Sequence, residues 1–510
     1  MKHTRSVAAA VGILLLSQGV PTRSQTQAFD VTEKTIPELA AAMRSGTTTS
    51  KRLVQAYLDR IEAFDHHGPA INAIISINPK ALDEAETLDR ERAAREPRGL
   101  LHGIPIVLKD NYDTAEMPTT AASIALKGSM PGRDAFQVRK LLDAGAVIVA
   151  KSNLHEFARG ITTISSLGGQ TRNPYDPTRN PGGSSGGTGA AIAANFAVVG
   201  MGTDTCGSIR YPAAHNNLVG LRPTMGLSSR TGIVPLALSQ DVGGPLGRSV
   251  TDVAIVLDAT VGADAADAVT AKSAGRIPPS YTAALDADGL RGARLGVYTP
   301  LFGTAAEDQR VGSVVRVAVE RMAQRGAQTV EVTAPAMPAE GDVSLIRFEF
   351  KFHLNDYLAH TPRAPVHSLA EILDKGLFHP AVEQGFRRSN DVATLDSDEY
   401  RAMTAKQAQL RAALLQTMDD NRVVALVYPT SRRTAAKIGE PQTGGNCQAS
   451  AATGLPAVTV PAGFADDGMP VGVELLGRPF SEPDLLKLAY AFEQATHHRR
   501  LPAMTPALGR

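Results

Sequence analysis

Gly103-Ile104-Pro105-Ile106-Val107-Leu108-Lys109-Asp110-Asn111 contains an unbroken apolar run that stops on a lysine. A short run of this kind, rich in β-branched residues, reads as a strand buried on both faces. Downstream, Ala135–Ala144 has the spacing of an amphipathic helix, and Val147-Ile148-Val149-Ala150 is a second buried-strand run. Strand, helix and strand in this order point to an α/β layer fold, and the pattern continues outward in both directions. Toward the N-terminus, 36–44, 51–64 and 81–95 read as helices and 71–77 as a strand. Toward the C-terminus, strands are expected at 294–298, 330–332, 423–428, 457–461 and 471–476, with helices over 309–325, 399–418 and 482–494. No proline- or serine-rich linker divides the chain and no repeat is visible, so the reading is one large α/β/α domain, residues 30–505, around a mixed, mostly parallel twisted sheet.

Composition narrows the function. The chain has 510 residues, 43% hydrophobic and 20% charged, which excludes a disordered, collagen-like or polytopic membrane protein. Fifty-two basic side chains face fifty-one acidic ones, so no global field attracts nucleic acid or an anionic membrane. A small-molecule partner is expected, with no nucleic acid, no membrane span, and a homodimer left open. The start differs from the rest: Lys2 and Arg5 precede an apolar run from Val7 to Leu16, too short to span a bilayer. This is the pattern of a secretory signal over residues 1–24, with cleavage between 19 and 28, and it predicts a secreted or periplasmic protein. Cys206 and Cys447 are too few for a disulfide scaffold or a structural zinc site; an oxidising compartment permits one bridge between them, which spacing cannot decide.

Between residues 160 and 250 the chain becomes dense in glycine, serine, threonine, asparagine and proline. A long irregular segment inside a compact domain is usually functional. Its centre, Pro181-Gly182-Gly183-Ser184-Ser185-Gly186-Gly187-Thr188-Gly189, runs straight into the small-residue helical stretch Ala190–Ala194. It lacks the lysine of a phosphate-binding loop and the spacing of a dinucleotide fingerprint. It satisfies the nucleophile-elbow pattern with either Ser184 or Ser185 at the centre, but an elbow must follow a strand, and three prolines between Arg172 and Pro181 oppose one. An α/β-hydrolase-like Ser-His-Asp esterase, using a histidine such as His215 or His353, therefore stays as an alternative. His155-Glu156 lacks the second histidine of a zinc hydrolase motif.

A second polar turn, Gly202-Thr203-Asp204-Thr205-Cys206-Gly207-Ser208-Ile209-Arg210, follows the apolar run 197–201. With the glycine string and the strand ending at Lys109, and with Gly169–Pro174, Gln240–Pro245, Arg248–Val250 and Gly454–Gly463, it resembles the amidase signature family of serine hydrolases over about residues 30 to 500. The chain looks most like bacterial peptide amidases and related secreted amidases. The resemblance implies hydrolysis of a carboxylic amide C–N bond in a peptide, aliphatic or aryl amide, through an acyl-enzyme and without a metal or organic cofactor. It implies Ser208 as nucleophile, Ser184 in a cis peptide as bridging serine, Lys109 as base, and backbone N–H groups of Thr205, Cys206, Gly207 and Ser208 as the oxyanion hole. Lysine accepts a proton only when neutral, and a desolvated position at a strand end lowers its pKa toward that state. Ser185 reads as support and Asp204 with Arg210 as a tie holding the turn. Where the family commonly has glycine this chain has Cys206, which leaves the acyl pocket's shape open and a cysteine nucleophile conceivable. Pocket walls are expected from 117–123, 348–357 and 444–452. Two further readings remain: the amidase component of a glutaminyl/asparaginyl-tRNA amidotransferase, opposed by the N-terminal segment, and a non-catalytic binding protein on the same scaffold.

Overall fold

The computed structural model describes residues 1, 3, 4 and 29–508, without the side chain of Glu340. The expected signal lies almost wholly outside these residues. Thirteen strands occur among them: β1 Ile74–Ile77, β2 Pro105–Lys109, β3 Val147–Ser152, β4 Ile164–Ser165, β5 Gly169–Gln170, β6 Val199–Asp204, β7 Val219–Arg222, β8 Val242–Gly247, β9 Arg294–Tyr298, β10 Gln328–Val332, β11 Ala425–Pro429, β12 Ala457–Phe464 and β13 Pro470–Leu476. Eleven of them form a single sheet in the order β1-β3-β2-β6-β8-β7-β12-β13-β11-β9-β10. The sheet is mixed. Parallel ladders join β3-β2-β6 on one side and β11-β9-β10 on the other. Antiparallel ladders fill the stretch from β6 through β8, β7, β12 and β13 to β11.

Helices cover both faces, and β2 shows how its side chains divide between them. Successive side chains of a strand point to opposite faces. Ile106 and Leu108 join the core that includes Val138, Leu141 and Val256 from helices Phe136–Asp143 and Val250–Thr260. Val107 joins the opposite core, with Ala190, Ala191 and Ile192 of helix Gly186–Ala193. Lys109 shares the parity of Val107, so it points toward the helix whose N-terminus follows Ser184 and Ser185. That helix sits hard against the sheet: a Cβ at Gly187 would stand 2.2 Å from the backbone oxygen of Asn153. Away from the sheet, helices Ile346–Ala359 and Pro380–Asn390 pack through Phe350 and Phe386 against Phe157.

Several boundaries move from the sequence reading. The first strand starts at Ile74 rather than Ile71, because Ala70 and Asn72 adopt φ of 48° and 57° and bend the chain there. The glycine-rich region holds three full sheet strands, β6, β7 and β8.

Candidate active site

Lys109 is fully buried at the end of β2. The parallel register pairs Leu108 with Met201, which brings the lysine beside Gly202 and Thr203 of β6. Its Nζ lies 2.7 Å from Ser184 Oγ and 2.7 Å from Thr203 Oγ1, with Thr203 O at 3.5 Å. Burial brings its pKa from 10.5 down to about 7, against a smaller opposing pull from Asp204 and Asp241. About half of the amine is thus uncharged at neutral pH. A neutral amine has two hydrogens and a lone pair: it donates toward Thr203 and accepts from the Ser184 hydroxyl, the arrangement a base needs.

Ser184 is fully buried, follows a cis Gly183–Ser184 peptide, and its carbonyl accepts from His155 N at 3.0 Å. Ser185 braces both segments: its N–H donates to Ser208 O at 3.1 Å, and its hydroxyl bonds Thr203 O and N at 3.1 and 3.2 Å. The serine pair is therefore split, one hydroxyl facing the lysine and the other fastening the β6 end.

Ser208 lies in the turn between β6 and helix Arg210–His215. Asp204 shapes this turn by accepting from Gly207 N at 2.8 Å and Ile209 N at 3.2 Å, while Gly207 takes φ of 82°. Arg210 and Arg222, both fully buried, approach Asp204 at 3.0 Å each, and Arg210 reaches on to Glu474 of β13 at 2.5 Å. Burial alone would raise the Asp204 carboxyl, but the two guanidiniums outweigh it and hold it well below the usual range. Of the four amides expected to face an oxyanion, Gly207 is engaged by Asp204; Thr205, Cys206 and Ser208 keep N–H groups with no partner among the described residues. Thr205 Oγ1 is held by Asp241 at 2.5 Å.

Ser208 lines an open cleft of about 1000 Å³ with Thr205, Cys206 and Tyr211. The hydrogen bond expected between the Ser208 and Ser184 hydroxyls is not formed in this structure, although Ser208 is tied to Ser185 through backbone. Cys206 forms a disulfide with Cys447, Cα to Cα 5.1 Å, so no thiolate is left at this position. Of the expected pocket walls, 444–448 lines the cleft; residues 117–123 do not, and helix Ile346–Ala359 contributes Ile346 and Arg347, just ahead of the expected segment. Among the described residues no histidine ring bonds Ser184, Ser185 or Ser208: His215 faces the backbone of Arg433, and His353 Nδ1 accepts from Leu238 N. That geometry gives the esterase reading no base. Among the described residues no group of three His, Cys, Asp or Glu side chains is placed to hold a metal ion. Thr203 is the member the sequence reading missed; its signal is position, since a residue next to the Asp204 of the turn ends the strand beside Lys109.

A family model described as Amidase matches residues 52–486. A solved structure, the native peptide amidase from Stenotrophomonas maltophilia, superposes with a TM-score of 0.88 at 41% identity, over 93% of this chain and 99% of that one. A probable amidase of Arabidopsis thaliana is 34% identical over 96% of each chain. A glutamyl-tRNA(Gln) amidotransferase subunit from Moorella thermoacetica is 36% identical over 92% of this chain and 98% of its own.

Proposed function

This chain belongs to the amidase family, and on that premise we propose that it hydrolyses the C–N bond of a linear carboxylic amide through Ser208, Ser184 and Lys109. The observation that carries the assignment is the dry Lys109 amine 2.7 Å from Ser184 Oγ. On substrate binding the Ser208 hydroxyl turns onto Ser184 Oγ; catalytic hydrogen bonds of this kind commonly tighten only in the complex. Ser208 Oγ then attacks the carbonyl carbon, its proton passes to Ser184 Oγ, and the Ser184 proton passes to Lys109 Nζ. The unpartnered amides of Thr205, Cys206 and Ser208 receive the oxyanion, each such donor being worth about 3–4 kcal/mol in the transition state. As the C–N bond breaks, the relay returns the proton to the leaving nitrogen, and water then releases the acid from Ser208 by the same route.

The substrate reading we favour is a peptide amide, in line with the activity named for the Stenotrophomonas relative. The amidotransferase reading is kept because proteins of that kind match over nearly the whole chain. Turnover of a simple peptide amide by the purified single chain supports the first; activity only with added partner proteins supports the second. We also place the protein outside the cytoplasm, a reading supported by the basic and then apolar start of the sequence and by a disulfide beside the nucleophile. The mechanistic test is a serine-directed phosphonate followed by peptide mapping: label on Ser208 is expected, and label on Ser184 or Ser185 rejects the assignment.

A further inference from the structure

The cleft that holds Ser208 is lined by four arginines, Arg159, Arg347, Arg388 and Arg432, and by one described carboxylate, Glu399. Glu399 pairs with Arg347 at 2.5 Å. Arg159, Arg388 and Arg432 have no carboxylate within ion-pair distance among the described residues, although the chain as a whole is close to neutral. Their isolation contrasts with the treatment of buried guanidiniums nearby, where Arg210 and Arg222 are neutralised by Asp204 and Glu474.

The three differ in how firmly they are held. Arg159 lies over the Phe350 ring at 5.3 Å and gives one Nη to Gly385 O at 2.9 Å, which leaves its other Nη buried with no partner among the described residues. Burial, helped by the Arg388 charge, lowers its pKa to about 10, so the site works against its own cation. Arg432 likewise has a buried Nε without an acceptor among the described residues. Arg388 is exposed on helix Pro380–Asn390, and its guanidinium makes no hydrogen bond or ion pair with them. A buried donor without a partner is costly, and like charges around one concavity focus a positive potential into it. Guanidinium forks match the planar, two-oxygen geometry of a carboxylate.

We propose that the non-reacting part of the substrate carries a carboxylate, so that the preferred class is an acidic amide, such as a peptide amide with a glutamate or aspartate side chain, recognised by Arg388 and Arg432, with Arg159 lining the same cleft. This rests on the reading of Ser208 as the reacting serine. It goes beyond that reading by naming what the distal cleft selects.

The test uses Ser208→Ala protein, which binds without cleaving, and N-acetyl dipeptide amides that carry Glu or Gln at the first or second residue. Calorimetric titration at low salt is expected to show at least one Glu peptide binding about tenfold more tightly than its Gln counterpart, the scale of one charge-assisted pair. Raising sodium chloride from about 0.02 M to 0.3 M is expected to erase most of that difference by screening. Adding Arg388→Gln and Arg432→Gln is expected to bring the two peptides to within about threefold while leaving the Gln peptide's affinity in place. Equal affinity for Glu and Gln peptides at both positions overturns the proposal, as does a Glu preference that survives high salt or the double substitution. Turnover is scored separately: failure of wild-type protein to cleave any of these amides removes the peptide-amide reading, while the binding ratios still decide whether the cleft selects charge.

Discussion

Replacing Lys109 with methionine separates by pH what the lysine costs the fold from what it contributes. In the folded protein its pKa stands at about 7 instead of 10.5, and it is fully buried, so solvent screening does not discount the effect. A lysine with a lowered folded pKa binds fewer protons in the native state than in the unfolded chain. Its penalty is therefore complete below pH 7 and is relieved as pH rises toward 10.5. Linkage puts that penalty at about 5 kcal/mol at pH 6 and about 2 kcal/mol at pH 9. Methionine carries no such penalty but leaves the Ser184 hydroxyl without its partner and takes from Thr203 Oγ1 one of its two, a loss of about 1–3 kcal/mol that does not vary with pH. Wild-type stability minus Lys109→Met stability is thus expected to rise by about 3 kcal/mol between pH 6 and 9. Urea unfolding of both proteins at several pH values measures this difference directly, and ionisations common to both cancel. Wild-type kcat/KM for a peptide amide is expected to rise about tenfold per unit below pH 7 and to level above it. Parallel stability curves, or an activity profile flat through pH 6 to 8, would show that the amine is not held near its neutral form.

Three other perturbations have expected outcomes. The Cys206–Cys447 bridge spans 241 residues, so Cys447→Ser should lower unfolding free energy by about 5 kcal/mol in the loop-entropy limit; an unchanged denaturation midpoint under oxidising conditions would show that the bridge does not form in solution. Asp204→Asn removes the charge shared by Arg210 and Arg222 and should cost about 3–5 kcal/mol, with kcat falling as the turn loosens; a loss below about 1 kcal/mol would argue that the guanidiniums are neutralised elsewhere. Gly187→Ala pushes a Cβ into the backbone of Asn153 and should destabilise by more than about 2 kcal/mol, checked by thermal unfolding; a wild-type midpoint would contradict the close approach of helix and sheet.

The legible parts of the chain are those where one periodicity dominates. The runs 104–108 and 147–150 are strands because nothing in them competes with two-sided burial, and both appear in the sheet. Val242-Gly243-Gly244-Pro245-Leu246-Gly247 is equally a strand, paired on both sides by β6 and β7, yet its glycines and proline carry no strand signal; its neighbours impose the conformation. Helices Ile346–Ala359 and Pro380–Asn390 went unread for a different reason, since much of their burial is against loops rather than the sheet. At the site, residue types were legible because lysine at the end of an apolar strand and serine among glycines are both unusual. Thr203 was not, because its role depends on strand register, and neither was the loss of Gly207 as a free donor, which depends on where the Asp204 side chain turns. The cysteine pairing required a distance that no spacing supplies.

Arg210 stands two residues after Ser208, and its second counter-charge, Glu474, comes 264 residues later on β13. Without that strand Asp204 alone faces both Arg210 and Arg222, two buried guanidiniums against one carboxylate, which leaves one positive charge over. Only when the last strand hairpin threads into the middle of the sheet does that charge find its place. A chain cut short before β13 would therefore keep Lys109, Ser184 and Ser208 but lack the carboxylate that completes the neutralisation of the turn holding Ser208.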